Sequence, residues 1–439
     1  MSTTTGHTLH TTTGESFTLG KPIGRGGQAA VYAIKGHDGL CAKVYKGVPA
    51  NRVLSVRHRL DTLRRLDGTA NLVLPQKVFE VPDLGYIMER VPSQARPLSH
   101  WAVCNNADVA EFYAETGGLR ERLLVGIELA RAFGDLHARG LAYGDLSFDN
   151  LLLVGDRRPE LRLIDCDNLT VDGVSRSNIQ GTPWFIAPEV LSGTELPSQY
   201  SDAWSLAVLL YHLLVLTHPL LGDTVRSSEP AAEEAALAGR KIEGGLLPWV
   251  DHPDDKGNRT KLGLPRGLVL SKKLQQTFRD AFEAGLVDPH RRPSEGRWLE
   301  VLHGALDATM SCPKCRNTCY LAGRCPWCNG TLTKPAALVL HHGDGRRPML
   351  VESARYLYPR HLRFRGGGLG DEPLALVRWR GGNLEITPRG DSRFNYEVDK
   401  EWKALKGNPI VLPPGHSFRL RLPAEETVRV TIYPPGVRR

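Results

Sequence analysis

The segment that most constrains the fold of this chain runs from Leu141 to Asn168 and alternates polar turns with short apolar runs. It reads L-A-Y-G-D-L-S-F-D-N-L-L-L-V and, after a polar turn, L-I-D-C-D-N. This pattern predicts a loop, a strand, a turn and a second strand, which would bring Asp145, Asn150 and Asp165 to one place. Three oxygen-bearing side chains at one point suit a hard cation such as Mg²⁺ and a phosphate. The competing interpretation is a hairpin with polar turns and no site.

Upstream lies a glycine-rich segment, I-G-R-G-G-Q-A-A-V-Y, between apolar, alternating runs. These surroundings predict a strand, a turn and a strand, rather than the strand-to-helix turn of a dinucleotide-binding unit. Gly24, Gly26 and Gly27 would let the backbone approach phosphate oxygens closely, although glycines often only make turns. Lys43 follows in the β-type run C-A-K-V-Y, where its cation would meet phosphates.

Downstream, the chain continues with G-T-P-W-F-I-A-P-E, then with Asp202 opening an apolar helix, and later with D-P-H-R-R-P-S. Taken in order, these motifs resemble those of protein kinases of the bacterial Ser/Thr type over about 290 residues. The resemblance implies a two-lobed protein-kinase-like fold. It also implies a buried ion pair between Glu189 and Arg292, and a role for Asp202 in supporting the backbone of the catalytic loop.

The same resemblance implies a role for each polar residue of the predicted site. Asp145 would orient the substrate hydroxyl and accept its proton, while Asn150 and Asp165 would hold Mg²⁺. Lys43 and the glycine turn would hold the phosphates of ATP. The adenine base would meet the backbone of a hinge formed by Met88, Glu89 and Arg90.

Two departures from the kinase pattern concern charge around the reacting phosphate. Tyr143-Gly144 stands where kinases have His-Arg, so the arginine that usually pairs with a phosphorylated activation loop is missing. Ser147 replaces a lysine that would place a positive charge near the γ-phosphate. We therefore expect a kinase of the non-RD type, which does not depend on phosphorylation of its activation loop.

Three further departures concern the nucleotide pocket. Asp165-Cys166-Asp167 replaces D-F-G, and Ala29 replaces the third glycine of the phosphate loop. No glutamate lies between Lys43 and Glu80, where the resemblance places the carboxylate partner of the lysine. Asp61, in a helix-like segment, is the expected substitute.

Two functions remain open on this evidence. The groups that position nucleotide, metal and hydroxyl are all present, which favours an active kinase, and Thr182 in G-T-P favours serine/threonine over tyrosine specificity. The alternative is a catalytically weak pseudokinase scaffold that binds nucleotide and presents its C-terminal part to a partner. In either case we expect protein partners.

Five of the eight cysteines fall between Ser311 and Gly330. C-P-K-C and C-P-W-C form two C-x₂-C pairs, which predict a tetrahedral Zn²⁺ site made of Cys312, Cys315, Cys325 and Cys328. Cys319 is the spare and could displace one of them. So short a segment cannot build a hydrophobic core, so the metal would supply its folding energy. Disulfides are the alternative.

The last hundred or so residues alternate short β-type runs with Gly/Pro turns and predict an all-β sandwich. The part from Asn383 to Leu420 resembles the second half of a forkhead-associated domain, with Ser392, Arg393 and Asn395 at its polar turn. This resemblance implies binding of phosphoprotein partners, with Arg360 and Arg393 as candidate phosphate ligands. A sandwich that only packs or binds protein is the alternative.

Charge is uneven along the chain. From Pro335 onward there are 18 Lys/Arg and 11 Asp/Glu, and the predicted zinc ribbon at 309–334 adds four basic residues and no acid. A basic tail beside a zinc ribbon could hold nucleic acid, but the strands carry no stacked aromatic platform, so a phosphopeptide or an acidic protein is favoured.

At the N-terminus, seven of the first thirteen residues are threonine, which predicts a disordered tail and a possible site of autophosphorylation.

The predicted fold class is therefore α+β: a kinase-like fold followed by a zinc ribbon and an all-β sandwich. The N-terminus lacks a hydrophobic signal segment, and the longest apolar run, Leu206 to Thr217, is too short to span a bilayer. With free thiols expected, we predict a cytoplasmic protein without membrane contact. The predicted boundaries are a disordered tail at 1–16, a kinase-like domain at 17–308, a zinc ribbon at 309–334 and a β-sandwich at 335–439.

Overall fold

The computed structural model describes residues 5–66, 71–104, 108–155, 160–171, 183–238, 247–342, 345–362, 372–390, 394–398, 401–405, 407–415, 417–421 and 427–436. The chain forms two compact units. One comprises residues 1–105, 128–262 and 278–295, and the other comprises residues 106–127, 263–277 and 296–439. The second unit joins segments of the kinase-like region to the C-terminal modules, so the compact units cross the boundary predicted at residue 308.

Six strands of the first unit build one sheet with the order β1-β2-β3-β4-β6-β5, and the others form a three-stranded sheet, β10-β9-β7, and a two-stranded sheet, β11-β8. Their bounds are β1 (Thr8–His10), β2 (Ser16–Arg25), β3 (Ala29–Ile34), β4 (His37–Tyr45), β5 (Lys77–Val78), β6 (Gly85–Glu89), β7 (Arg96–Pro97), β8 (Leu141–Ala142), β9 (Leu151–Val154), β10 (Glu160–Leu163) and β11 (Thr170–Val171). Alternating apolar residues of β1 to β4 pack into one buried cluster on one face of the large sheet.

The helices of the chain, some of which run from one unit into the other, differ greatly in length. They are α1 (Ala50–Leu63), α2 (Ser99–Ala102), α3 (Val109–Glu115), α4 (Gly118–His137), α5 (Pro188–Leu191), α6 (Gln199–Val215), α7 (Asp223–Arg226), α8 (Pro230–Leu237), α9 (Arg266–Val269), α10 (Lys272–Arg279), α11 (Gly285–Val287), α12 (Glu295–Asp307) and α13 (Pro359–Leu362). Helix α6 is buried almost all round, as its apolar run predicts, and a capping box of Ser198 and Ser201 begins it. Among the described helices, none is both long enough and apolar enough to cross a bilayer.

The N-terminal residues correct the prediction of a disordered tail at 1–16. Strand β1 pairs antiparallel with the start of β2, from Thr8 opposite Thr18 to His10 opposite Ser16. Leu9 and Thr11 are fully buried. Threonine suits a half-buried strand as well as a solvated tail, and here the apolar Leu9 joins the core of the sheet. A buried Thr11 is therefore not an exposed site of autophosphorylation, while Thr3 and Thr4 lie outside the described residues.

The second unit contains two C-terminal sheets and a small cysteine-rich hairpin. The strands are β12 (Thr309–Ser311), β13 (Thr318–Tyr320), β14 (Ala336–His342), β15 (Gly345–Val351), β16 (Ala354–Leu357), β17 (Ala375–Arg380), β18 (Asn383–Pro388), β19 (Phe394–Val398), β20 (Glu401–Leu405), β21 (Ile410–Leu412), β22 (Ser417–Arg421) and β23 (Val428–Tyr433). A six-stranded sheet has the order β15-β14-β23-β22-β19-β20, and a four-stranded sheet has the order β16-β17-β18-β21.

Both C-terminal sheets contribute to a single buried core, with Leu338 and Val430 from one sheet and Val377 and Ile386 from the other. The predicted all-β sandwich is therefore present. Strand β14 is apolar on both faces, because Ala337 packs with the buried cysteines of the hairpin while Leu338 faces the sandwich core. This double burial explains why A-A-L-V-L does not alternate.

Candidate active site and cysteine cluster

The glycine-rich turn joins β2 to β3, as the flanking apolar runs predict. A β-carbon built on Gly24 or Gly27 would meet no described atom within 4 Å, and one on Gly26 would lie 3.7 Å from the Ala29 carbonyl. Packing of the described residues therefore does not account for these glycines. A turn open on its outer side suits the close approach of a ligand to the backbone.

Lys43 lies on β4 and is almost fully buried. Its ammonium group donates to Asp165 and, at 2.5 Å, to Asp167. Burial lowers the pKa of Lys43, but the charges of Asp167 and Asp165 outweigh burial and raise it above the ordinary value. The lysine is therefore a fixed cation at neutral pH, as a phosphate ligand must be.

The structure corrects the partner expected for Lys43. Asp61 lies on α1 with its carboxylate 3.5 Å from the guanidinium of Arg64, one turn further along the same helix. Its short side chain makes a local pair of the kind common at helix surfaces. The carboxylate that meets Lys43 besides Asp165 comes instead from Asp167, the second acid of D-C-D, at the position of the glycine in D-F-G.

Asp165 begins a tight turn after β10. Its backbone is left-handed, with φ of 61°, and a 3₁₀ turn from Cys166 to Asn168 follows. The Ile164 N–H donates to the Asn150 carbonyl at 2.9 Å, so the hairpin of β9 and β10 brings the two predicted Mg²⁺ ligands together. The Asn150 amide nitrogen donates to the Asp145 carbonyl at 3.0 Å, which leaves the amide oxygen to face a cation. An amide and a carboxylate oxygen fit Mg²⁺.

The predicted catalytic loop, from Tyr143 to Asn150, is held by hydrogen bonds to α6 and to the turn after β10. Asp202, buried in the first turn of α6, accepts the N–H groups of Tyr143 at 2.6 Å and Gly144 at 3.0 Å. The Tyr143 hydroxyl donates to the carbonyl of Ile164, directly before Asp165. The Asn168 amide donates to the Asp145 carboxylate at 3.1 Å. Asn168, the last residue of L-I-D-C-D-N, is thus a further site residue, and the motif alone does not predict this role.

Gly144 replaces the usual arginine for a visible backbone reason. Its φ of 74° lies in the left-handed region, and a side chain there would approach the Asn168 carbonyl and Pro197.

Asp202 has a second partner in His137, which hydrogen-bonds to Asp202 at 3.2 Å and to Glu295 at 2.9 Å. Burial lowers the pKa of His137, but these two carboxylates outweigh burial and raise it to about 9.

The other predicted structural pair is also in contact. Arg292 donates to both oxygens of Glu189, at 2.6 and 2.8 Å, and to the Gly285 carbonyl at 2.9 Å. Its guanidinium lies 5.0 Å from the centre of the Trp204 ring. The bidentate geometry is typical of a strong arginine–carboxylate pair.

The predicted hinge lies at the end of β6, whose last two residues are Met88 and Glu89, and Arg90 follows the strand. Met88 is buried opposite Cys41, and Glu89 is opposite Leu40 in the register of the sheet. The Arg90 N–H donates to the Gly39 carbonyl at 2.9 Å. That N–H is therefore engaged within the protein, and an adenine base would have to use other groups of this segment.

Beside the catalytic loop lies a pocket of about 280 Å³ that is lined mainly by rings. Phe148, directly after Ser147, meets Phe185 edge-on at 4.8 Å and His212 at 4.9 Å between ring centres. Trp184 completes the wall and is partly exposed. The pocket suits an apolar side chain of a bound polypeptide.

Three other residues of the predicted kinase region, Ser175, Ser177 and Thr182, lie outside the described residues.

The cysteine cluster consists of two matching turns. In each C-x₂-C pair the residue after the second cysteine, Arg316 or Asn329, has a positive φ and donates its N–H to the carbonyl of the first cysteine. The sulfur atoms of Cys312, Cys315, Cys325 and Cys328 all lie within 4.8 Å of one another. Cys319 is buried in the hairpin core and is not part of this group.

The spacing of these sulfurs tests the metal prediction. Cys312 lies 3.7 Å from Cys328, and Cys315 lies 3.7 Å from Cys325. A tetrahedron with Zn–S bonds of about 2.3 Å has edges of about 3.8 Å, whereas a disulfide needs about 2.05 Å. Backbone N–H groups of Cys315 and Lys314 help lower the pKa of Cys312 to about 6, which favours the thiolate. The four residues fit Zn²⁺, and none of the eight cysteines, all of which lie in the described part of the chain, forms a disulfide.

The predicted phosphate ligands of the C-terminal sandwich are less favourably placed. Arg360 is largely buried, stacked 4.1 Å from the Tyr358 ring centre and 3.8 Å from Asp307. Its charge is therefore already compensated. Asn395 lies within β19 opposite Arg421, while Ser392 and Arg393 lie outside the described residues.

Known proteins resemble this chain over the same region. A family model described as the protein kinase domain matches residues 17–294. The maize probable serine/threonine-protein kinase CCRP1 is 28% identical over 225 residues, which cover 48% of this chain and 33% of that protein. The putative serine/threonine-protein kinase F31E3.2 of Caenorhabditis elegans is 29% identical over 210 residues, which cover 47% and 46% of the two chains.

Protein kinase YegI of Escherichia coli K12 is 26% identical over 347 residues, which cover 73% of this chain and 50% of that protein. That likeness covers more of the chain than residues 17–294 contain. The chain spans between a third and a half of the length of these three relatives. The family match extends over well more than half of the chain, and this chain belongs to the protein kinase family.

Proposed function

We propose that this protein is a serine/threonine kinase that transfers the γ-phosphate of ATP to protein hydroxyls. The observation that supports this most is the convergence of Lys43 on β4 with Asp145, Asn150 and Asp165 from the segment around β9 and β10. The open glycine turn joins β2 to β3, and β3 pairs with β4. Phosphoryl transfer depends on positioning and on electrostatic stabilisation more than on covalent chemistry. These groups supply both.

Each group has a distinct part in the reaction. Asn150 and Asp165 would hold Mg²⁺, which would supply charge neutralisation at the phosphates. Lys43 and the N–H groups of the glycine turn hold the phosphate oxygens. Asp145, oriented by Asn168 at 3.1 Å, accepts the proton of the attacking hydroxyl. Asp202 holds the backbone just before Asp145, so that the carboxylate does not need to be ordered during the reaction.

The ring-lined pocket supports a protein substrate. It is bounded by Phe148, which lies between Asp145 and Asn150, and by Trp184 and Phe185 of the motif G-T-P-W-F-I-A-P-E. An apolar side chain near the accepting serine or threonine could enter it. The substrate class proposed is therefore a polypeptide rather than a free small molecule.

The cysteine cluster and the sandwich are proposed to serve structure and protein binding. With Zn²⁺ in the cluster, the two turns of the ribbon would be held rigid. The sandwich is proposed as a protein-interaction module with a basic surface. A phosphothreonine-binding role receives less support, because Arg360 already faces Asp307.

The competing function is a scaffold that binds nucleotide without transferring phosphate. The test is incubation of the full chain with Mg-ATP and a mixture of serine-, threonine- and tyrosine-containing protein substrates, followed by identification of the phosphorylated residues. Phosphate on serine or threonine, absent with Asp145→Asn and retained with Asp38→Asn at the exposed start of β4, supports the proposal. No transfer by a wild-type chain that binds Mg-ATP favours the scaffold.

A further inference from the structure

Asp167 is the centre of a hydrogen-bond cluster to which the proposed function has so far given no role. Its Oδ2 atom accepts from Lys43 at 2.5 Å and from the Tyr45 hydroxyl at 2.6 Å. Its Oδ1 atom accepts from the Tyr86 hydroxyl at 2.8 Å. Both oxygens of one carboxylate are therefore engaged by three side chains of the sheet.

The sheet itself places these three donors together. Tyr45 follows Lys43 by two residues on β4, so both side chains lie on the same face. Tyr86 is directly opposite Lys43 in the pairing of β4 with β6. Tyr86 is fully buried and Lys43 is 7% exposed. Such buried groups cannot turn to water, so the cluster is fixed by the register of two strands.

Asp165 and Asp167 both meet Lys43, but their surroundings differ. The Asp165 side chain is 44% exposed, whereas that of Asp167 is 20% exposed. No tyrosine among the described residues bonds to Asp165, so it can turn toward a bound cation. Asp167 accepts hydrogen bonds on both carboxylate oxygens, so it would stay bonded to Lys43.

Helix α1 offers a cation rather than an acid at this place. Arg59 donates to the Leu169 carbonyl at 3.3 Å, and the charge of Asp167 acts on it. The only acid of α1, Asp61, pairs with Arg64. The lysine is therefore anchored to the turn after β10 and not to the helix.

We propose that Asp167 is the positioning residue that holds Lys43 for nucleotide binding, with Tyr45 and Tyr86 fixing its carboxylate. The inference rests on the proposed ATP-dependent function. It implies that the alignment of the lysine is built into the sheet and the metal-binding turn. A displacement of helix α1 would then leave the lysine in place.

The test is a double-mutant cycle on the full chain. Asp167→Asn, nearly isosteric and uncharged, is measured alone and together with Lys43→Met, and Asp61→Asn serves as the matched control. The readouts are kcat and KM for ATP, and the Kd for Mg-ATP from displacement of a fluorescent ATP analogue. A residue that acts through Lys43 gives strongly non-additive effects, whereas a general structural role gives additive ones.

We expect Asp167→Asn to lower kcat/KM for ATP by at least tenfold in the wild-type background and by less than twofold in the Lys43→Met background. Asp61→Asn should stay within twofold of wild type. Equal losses in both backgrounds, or a loss with Asp61→Asn as large as with Asp167→Asn, would overturn the proposal. If Asp167→Asn does not fold, Tyr86→Phe gives the same cycle, with an expected loss of two- to fivefold that also vanishes without Lys43.

The outcome also separates this inference from the proposed function. If the wild type binds Mg-ATP but transfers no phosphate, the kinase activity fails while the same cycle, read from Kd, still decides the role of Asp167. If the wild type binds no Mg-ATP, both proposals are overturned.

Discussion

The active site and the cysteine cluster are assembled in opposite ways. The cluster draws its four sulfurs from residues 312–328, on two matching turns. The active site joins Lys43 of β4 to Asp165 and Asp167, more than 120 residues away in the chain. We expect a local site of this kind to depend on a bound metal, and the long-range site to depend on the whole fold around it. The two should therefore fail differently when a residue is lost.

The largest effect is expected in the long-range site, where one side chain can be lost without loss of fold. Asp165→Ala removes a partly exposed carboxylate and a proposed Mg²⁺ ligand. We expect phosphate transfer to fall by about 10³-fold or more, because the charge of the phosphates is no longer neutralised. The initial rate of transfer measures this, and an unchanged unfolding midpoint shows that the fold survives. A loss of less than tenfold would contradict the assignment.

In the cysteine cluster, by contrast, loss of one ligand should also destabilise the local fold. We expect about one Zn²⁺ per chain, and Cys312→Ser should lose the metal and destabilise the ribbon. Metal analysis and limited proteolysis of the ribbon measure both effects. Cys319→Ser, buried in the same hairpin, and Cys104→Ser should keep the metal. Disulfides among the four cysteines in protein made under reducing conditions would contradict the prediction.

These two sites also differ in how far the sequence could predict them. The two C-x₂-C pairs predict the cluster directly, because ligands on two neighbouring tight turns can meet without contacts to residues that are distant in the chain. The order of motifs predicts Asp145, Asn150 and Asp165 as site residues, and their roles stay predictions, whereas its prediction of Asp61 as the partner of Lys43 is wrong. Spacing along the chain cannot show which acid faces a lysine once Asp165 and Asp167 lie two residues apart.

The fold shows the same division. The buried helix α6 and the strands of the sandwich follow from their apolar patterns. The sequence pattern does not predict strand β1, because a threonine-rich segment fits a solvated tail as well as an edge strand. Leu9 is the only buried residue of this three-residue strand. The pairing that decides between them, with the start of β2, is a property of the folded sheet.

A long-range pair that serves stability rather than chemistry sharpens the comparison. Glu189→Gln should leave the buried guanidinium of Arg292 without its anion. We expect a loss of about 3–5 kcal/mol in the free energy of unfolding. Denaturant unfolding measures it, with the exposed Glu195→Gln as the matched control. Equal midpoints for the two variants would show that the pair contributes little.

Two buried histidines should give opposite pH dependences. His137 has a folded pKa of about 9, raised above the unfolded value, so its contribution to stability is complete below about pH 6.5 and is lost as pH rises through about 9. His361 accepts the Tyr358 N–H on Nδ1, which keeps it neutral against Asp307. Burial lowers its pKa, so its contribution is present above about pH 6.5 and is lost as pH falls.

The comparison is made by measuring unfolding of wild type, His137→Gln and His361→Gln from pH 5 to pH 9.5. A tenfold change in proton affinity corresponds to about 1.4 kcal/mol. The deficit of His137→Gln should shrink toward high pH, and that of His361→Gln should shrink toward low pH. Parallel profiles for the two variants would contradict the assigned charge states.

The smallest effect is expected in the activation segment. Gly144 leaves no arginine to pair with a phosphate there, and its backbone contact with Asp202 already holds the loop. Replacing Ser175 and Ser177 with alanine together with Thr170, which is buried in β11, should therefore leave the transfer rate within a few-fold. A loss of a hundredfold would mean that control by loop phosphorylation exists.

The most direct test of the account is to measure Mg-ATP binding and phosphate transfer on the same samples of wild type and Asp145→Asn. Because Asp145 is proposed to act on the hydroxyl and Lys43 on the nucleotide, both proteins should bind Mg-ATP with similar affinity. Only the wild type should phosphorylate a protein substrate. Binding by both proteins with transfer by neither would contradict the proposed kinase activity and leave a nucleotide-binding scaffold.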